Sequence, residues 1–103
     1  HEEIITPLMW EFINSYKDLP LSVYQIQNKF RNEKRVKSGL LRWREFLMKD
    51  AYSFHSSNED FVKYYEWMKK VYLNIFEKLW LWDDTVIALA DWWDFIEKFS
   101  HEF

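Results

Sequence analysis

Two long stretches of alternating side chains flank the only glycine of this chain, and that arrangement leaves few folds open. Leu21 to Glu33 and Leu40 to Phe54 carry the two-residue period of strands, with Val23, Tyr24, Ile26 and Phe30 supplying side chains that suit a pleated surface. Gly39 closes the run Val36-Lys37-Ser38-Gly39, where a turn needing positive φ would place it. The expected element is an antiparallel hairpin. Alternate side chains of a strand share a face, so Arg31 and Glu33 point one way, and Arg42, Arg44 and Phe46 share a face of the return strand. Paired, those faces line a shallow cationic platform. An arginine fork suits phosphate or carboxylate oxygens, a carboxylate accepts from an exocyclic amine, and a phenylalanine stacks on a purine. A generic charged hairpin with the same residues would only keep a sheet edge soluble.

Helical periods surround the hairpin. Thr6-Pro7 suits an N-cap followed by proline at the first helical position, and Ile5, Leu8, Met9, Phe12, Ile13 and Tyr16 then recur at helical spacing up to Pro20. Ser57 with Asp60 opens a second helix, whose stripe of Phe61, Tyr65, Met68, Tyr72, Ile75, Phe76 and Leu79 predicts the main core element. Its other face is charged, with Trp67 the exception. Thr85 to Leu89 reads as a third strand, and Asp91 as the cap of a last helix carrying Trp92, Phe95, Ile96, Phe99 and Phe103. The expected fold is α+β: a small antiparallel sheet, the hairpin plus a third strand, packed against about three helices. Residues 1–103 form a single domain, which at this length buries roughly two-thirds of its unfolded surface.

Particular words in the sequence narrow the reading. Phe30-Arg31-Asn32-Glu33, a basic loop, then Arg42 with Phe46 four residues on resemble motif 2 of class II aminoacyl-tRNA synthetases. His1-Glu2-Glu3-Ile4-Ile5-Thr6, Ser15-Tyr16-Lys17-Asp18-Leu19-Pro20, Tyr24-Gln25-Ile26-Gln27, the run from Arg44 to His55, and the terminal Ser100-His101-Glu102-Phe103 resemble bacterial-type prolyl-tRNA synthetases in the same order. The similarity is dense over residues 1 to 57 and sparser beyond.

The resemblance implies roles position by position. Arg31 matches an arginine that contacts the ATP α-phosphate and the substrate carboxylate, Glu33 a glutamate that helps read the adenine amine, and Phe46 an aromatic that stacks on adenine. Arg42 and Arg44 match arginines near the polyphosphate. Glu2 and Glu3 match a segment that helps hold the proline ammonium, and His101 a histidine near the amino-acid pocket. The implied cofactor is ATP, with Mg2+ where it binds. The implied chemistry is in-line attack of a carboxylate on the α-phosphorus, in which positioning and charge neutralisation do most of the catalysis.

Departures from the family pattern point the other way. The glycine-rich third signature with its arginine and the first signature have no counterpart here. Arg35-Val36-Lys37 stands where the family carries Arg-Pro-Arg, Trp43 replaces a small residue, and Trp92 to Phe99 replaces a segment rich in glycine and serine. Average usage gives about seven glycines in a chain of this length, yet this one has a single glycine beside seven tryptophans. The sequence-based expectation is a prolyl-tRNA synthetase-like core fragment, apparently rewritten or designed, that keeps the ATP-binding hairpin but does not activate an amino acid. The alternative is a designed, non-enzymatic α+β scaffold with no ligand. In either case the tryptophans are expected to pack a core.

Charge bounds the partners. Seven of the fourteen basic residues lie between Lys29 and Arg44, leaving the remainder acidic and the net charge at −3. Phosphate backbones need concentrated positive charge, so tRNA is not an expected partner of this segment, whereas a nucleotide is. Without cysteine there is neither disulfide nor thiolate chemistry. His1, His55 and His101 have no metal-binding spacing, and no apolar run is long enough to span a membrane. A cytoplasmic location is the expectation.

Overall fold

A computed structural model of the chain describes residues 2–39, 41–90 and 100–103. They fall into two compact units, residues 1–56 and 57–103. The α+β class expected from the sequence is the class observed.

The first unit opens with helix α1, Glu2–Met9. It begins earlier than the Thr6-Pro7 signal implies, because Glu2 and Glu3 fill its first turn and suit the positive end of the helix dipole. Pro7 therefore lies inside α1 rather than at its start. The helix also ends earlier than its apolar spacing suggests. Trp10, Glu11 and Phe12 donate to the carbonyls three residues back, each at 3.1 Å, and so tighten the last turn. Ser15 then starts a separate 3₁₀ turn, Tyr16–Asp18: its backbone N–H donates to Asp18 Oδ2 at 2.8 Å while its hydroxyl accepts from Lys17 N–H. A residue locked in that reciprocal cap is unavailable for a continuing helix.

Strands β1, Leu21–Phe30, and β2, Glu45–Phe54, form the hairpin. They pair antiparallel from Leu21 opposite Phe54 to Phe30 opposite Glu45. One further bond, Arg31 N–H to the Arg44 carbonyl at 2.8 Å, ends the ladder. Both strands are shorter than their alternating sequences. Glu33 N–H donates to the Arg31 carbonyl two residues back at 2.8 Å, which turns the chain out of the sheet direction. Gly39 has φ +74°, as expected, and Arg42 also takes a left-handed conformation at φ +53°. Arg42 thus belongs to the loop, not to the return strand.

In the second unit, helix α2 spans Asn58–Lys78, with the Ser57 hydroxyl accepting from Asp60 N–H at 3.2 Å. Its stripe is half-buried through Phe61, Tyr65, Met68, Tyr72 and Phe76. Tyr72 and Phe76 meet the ring of Phe103, with centroids 5.1 and 6.0 Å apart. Ile75 and Leu79, expected in the same stripe, are exposed at 44% and 57%.

Past the α2 C-cap at Leu79, Trp80 turns left-handed at φ +57°. Trp80 N–H donates to the Glu77 carbonyl at 3.0 Å and Leu81 N–H to the Phe76 carbonyl at 2.9 Å, which is the Schellman pattern. A 3₁₀ turn at Trp82–Asp84 leads to β3, Ala88–Leu89, which pairs with β4, His101–Glu102. The third strand is therefore two residues long and belongs to a ladder of its own rather than to the hairpin sheet. Residues 91–99 of the helix expected from Asp91 lie outside the described residues, and its expected end at Phe103 is not helical, because His101–Glu102 pairs as strand β4.

Candidate nucleotide-binding site

The end of the hairpin gathers most of the residues singled out from the sequence. The Arg31 guanidinium carbon sits 5.3 Å from the centroid of the Phe46 ring, a cation–π arrangement. Both residues line a cavity of about 600 Å³ together with Glu33, Arg42, Trp43 and Glu45. Register explains the meeting. Lys29 lies opposite Phe46 and Arg31 bonds across to Arg44, so residues 29, 31, 44 and 46 share one face.

The remaining arginines are deployed differently. Arg44 Nε donates to the Glu33 carbonyl at 3.1 Å, which fixes the start of the loop, and Arg44 lines an adjoining cavity of about 650 Å³ with Lys37, Trp43 and Phe46. Arg42 reaches the first cavity from its left-handed loop position. Glu33 Oε1 accepts from Arg35 N–H at 2.8 Å. The Trp43 indole N–H donates to the Gly39 carbonyl, which staples the loop tip across the site.

A polar seam supports this face of the hairpin. Lys29, 6% exposed, forms an ion pair with Asp50, whose Oδ2 also accepts from Gln25 Nε2 at 3.0 Å and from Tyr52 at 3.3 Å. The Lys29 ammonium holds the Asp50 carboxyl below its ordinary range, with Gln25 assisting against the opposing effect of burial. Burial, then the charges of Asp50 and Glu2, push the Tyr52 phenol up. Lys29 counts among the basic residues of the patch by sequence, yet its charge is committed within the hairpin. The signal for this seam was present as Gln25, Gln27 and Lys29 on alternate positions of β1, which share a face with Asp50, the residue opposite Gln25.

Glu2 and Glu3 lie in the exposed first turn of α1 and do not line either cavity. His101, in the second unit, shares a 2.8 Å hydrogen bond between its Nδ1 and the Tyr65 hydroxyl. Burial raises the Tyr65 phenol above its usual value. Among the described residues no group of three or more His, Asp or Glu is placed to hold a metal ion, and no helix is long and apolar enough to cross a membrane.

The register of the hairpin thus brings Arg31 and Phe46 together at its loop end. Residues 1–102 match the family described as tRNA synthetase class II core domain (G, H, P, S and T), and the chain belongs to that family. Within it, the chain is 60% identical over 91 residues, 88% of its length, to a Proline--tRNA ligase of Prochlorococcus marinus subsp. pastoris. It is 54% identical over its full length to Proline--tRNA ligases of Sulfurihydrogenibium sp. and Lysinibacillus sphaericus. The chain spans 15–18% of the length of these relatives. Family signatures lacking from so short a span therefore carry no weight about activity. Identity at this level with natural ligases also disfavours the designed or rewritten scaffold.

The described tryptophans do not fill a core either. Trp10, Trp43, Trp80 and Trp82 are 50–93% exposed, against the expectation that they replace lost neighbours, while Trp67, expected on the charged face of α2, is 55% exposed. Trp92 and Trp93 lie outside the described residues.

Proposed function

We propose that this segment is the ATP-reading hairpin of a prolyl-tRNA synthetase-type ligase. The observation that carries the reading is the Arg31 guanidinium stacked on Phe46 at the wall of a cavity that Glu33 and Arg42 also line. Adenine stacks on the Phe46 ring, and Glu33 accepts from its exocyclic amine. Arg31 pairs with the α-phosphate, while Arg42 and Arg44 neutralise the polyphosphate. Because Arg31 covers one face of Phe46 before any ligand arrives, nucleotide binding moves the guanidinium from the ring to the phosphate. Any Mg2+ enters with the phosphates, since the site offers only Glu33 and Glu45 as acidic groups.

In the longer ligase, the amino-acid carboxylate oxygen bonds to the α-phosphorus as the α–β phosphoanhydride bond breaks and pyrophosphate leaves. Arg31 stabilises the charge that builds on the α-phosphoryl oxygens. Glu2, Glu3 and His101 serve the proline side of that reaction. This segment alone binds nucleotide without activating an amino acid, has no tRNA contact of its own, and works in the cytoplasm.

The test is an ATP titration followed by tryptophan emission, with Trp43 in the cavity wall as reporter. ATP is expected to shift the emission, and Arg31→Ala to abolish the shift. An unchanged spectrum, or equal binding by Arg31→Ala, removes the proposal. Proline-dependent pyrophosphate exchange by this segment would overturn the inactive part of the reading.

A further inference from the structure

Tryptophan occupies a position built for glycine at the end of α2. Trp80 is the C′ residue of a complete Schellman motif, at φ +57°. That position favours glycine because any Cβ crowds the backbone in the left-handed region, and a large aromatic gains nothing there. Nor does packing hold the indole in place, since Trp80 is 93% exposed.

The rest of the chain shows the same imbalance. Tryptophan is on average a well-buried residue, yet each of the five described tryptophans is half exposed or more. The single glycine also has positive φ, so glycine is used here where the backbone demands it, while Arg42, next to Trp43, takes the left-handed region without it. Seven tryptophans and one glycine together come to eight, close to the roughly seven glycines that ordinary usage expects. Close identity with natural ligases disfavours design as the source of this composition.

One codon can. UGA is a stop in the standard genetic code, tryptophan in some variant codes and glycine in others. We infer that the seven tryptophans of this sequence are glycines in the protein as its source makes it, each encoded by UGA and decoded there as glycine. Trp67 is the discriminating position. It lies in the middle of α2, where conformation does not favour glycine, so only a common codon assigns glycine to it as well. The functional consequence falls on Trp43. A glycine at that position removes the indole that lines both cavities and staples the loop tip, and so opens the proposed nucleotide site. Trp92-Trp93 likewise ceases to be a bulky insertion.

Peptide mass spectrometry of the protein from its native cells, read with its coding sequence, tests this directly. Glycine masses at all seven positions, with UGA at each, are expected. A tryptophan mass or a UGG codon at any of them, Trp67 included, overturns the inference. A structural readout stands apart from decoding: Trp43→Gly in this chain is expected to tighten ATP binding measured by calorimetry, whereas unchanged or weaker binding would remove the functional consequence drawn for the site.

Discussion

Replacing Trp80 by glycine should stabilise the chain, although it deletes its largest kind of side chain. A non-glycine residue in the left-handed region carries a penalty of about 1–2 kcal/mol. Glycine relieves that penalty but restores freedom to the unfolded chain, which offsets about 0.4–1 kcal/mol. The indole is 93% exposed, so its removal forfeits almost no burial. The net expectation for Trp80→Gly is about 0.5–1 kcal/mol of added stability, or roughly 3–6 °C in Tm for a chain of this size. Trp80→Ala is the control, because it deletes the same ring and keeps the Cβ that causes the strain. Its Tm should stay near that of the parent. Far-UV circular dichroism during heating measures all three, since α2 supplies most of the helical signal. If Trp80→Gly melts at or below Trp80→Ala, the strain assigned to this cap is not there.

Three further perturbations address other links. Ser57→Ala removes the acceptor for Asp60 N–H and should cost about 1 kcal/mol by denaturant unfolding, with Ser56→Ala as a neutral comparison. Tyr72→Ala should cost about 2–3 kcal/mol through its ring contact with Phe103, Ile75→Ala distinctly less because it is exposed, and Lys70→Ala almost nothing; equal losses at all three would mean that the inward face of α2 is misassigned. The Asp50 carboxyl titrates below its unfolded value, so its contribution is present above the unfolded pKa and disappears as pH falls through the folded one. The Tm advantage of the parent over Asp50→Asn should therefore hold at neutral pH and vanish in acid, and a pH-independent gap would exclude the Lys29 pairing as its source.

The legibility of the fold follows the range of the forces involved. Hairpin pairing and the Ser57 cap depend on neighbours a few residues apart or on strict alternation, so they could be read directly from the sequence. The end of α1 could not. Its apolar spacing continues through Phe12, Ile13 and Tyr16, but the reciprocal bonds of Ser15 and Asp18 compete successfully with the helix. The third strand was misplaced because a strand's partner is a long-range choice, and Leu89 pairs with His101 instead of joining the hairpin.

The site shows the same division more sharply. Arg31, Arg44 and Phe46 converge because alternation and register put them on one face, and both are visible in the sequence. Arg42 seemed to obey the same rule at two-residue spacing, yet β2 starts only at Glu45, and Arg42 reaches the cavity through a left-handed loop conformation. Two arginines of identical spacing thus line the site for different physical reasons, one held by a ladder and the other by a turn. Lys29 shows the complementary error: counting charges placed it in the basic patch, whereas Asp50, twenty-one residues away, pairs with it inside the hairpin. Counting cations therefore overstates the charge open to the proposed nucleotide, and the cations lining the cavities reduce to Arg31 and Arg42 in one with Arg44 and Lys37 in the other. A cluster that small suits one triphosphate better than the extended track a nucleic-acid backbone needs, which is why the proposal places a nucleotide rather than tRNA at this end of the hairpin.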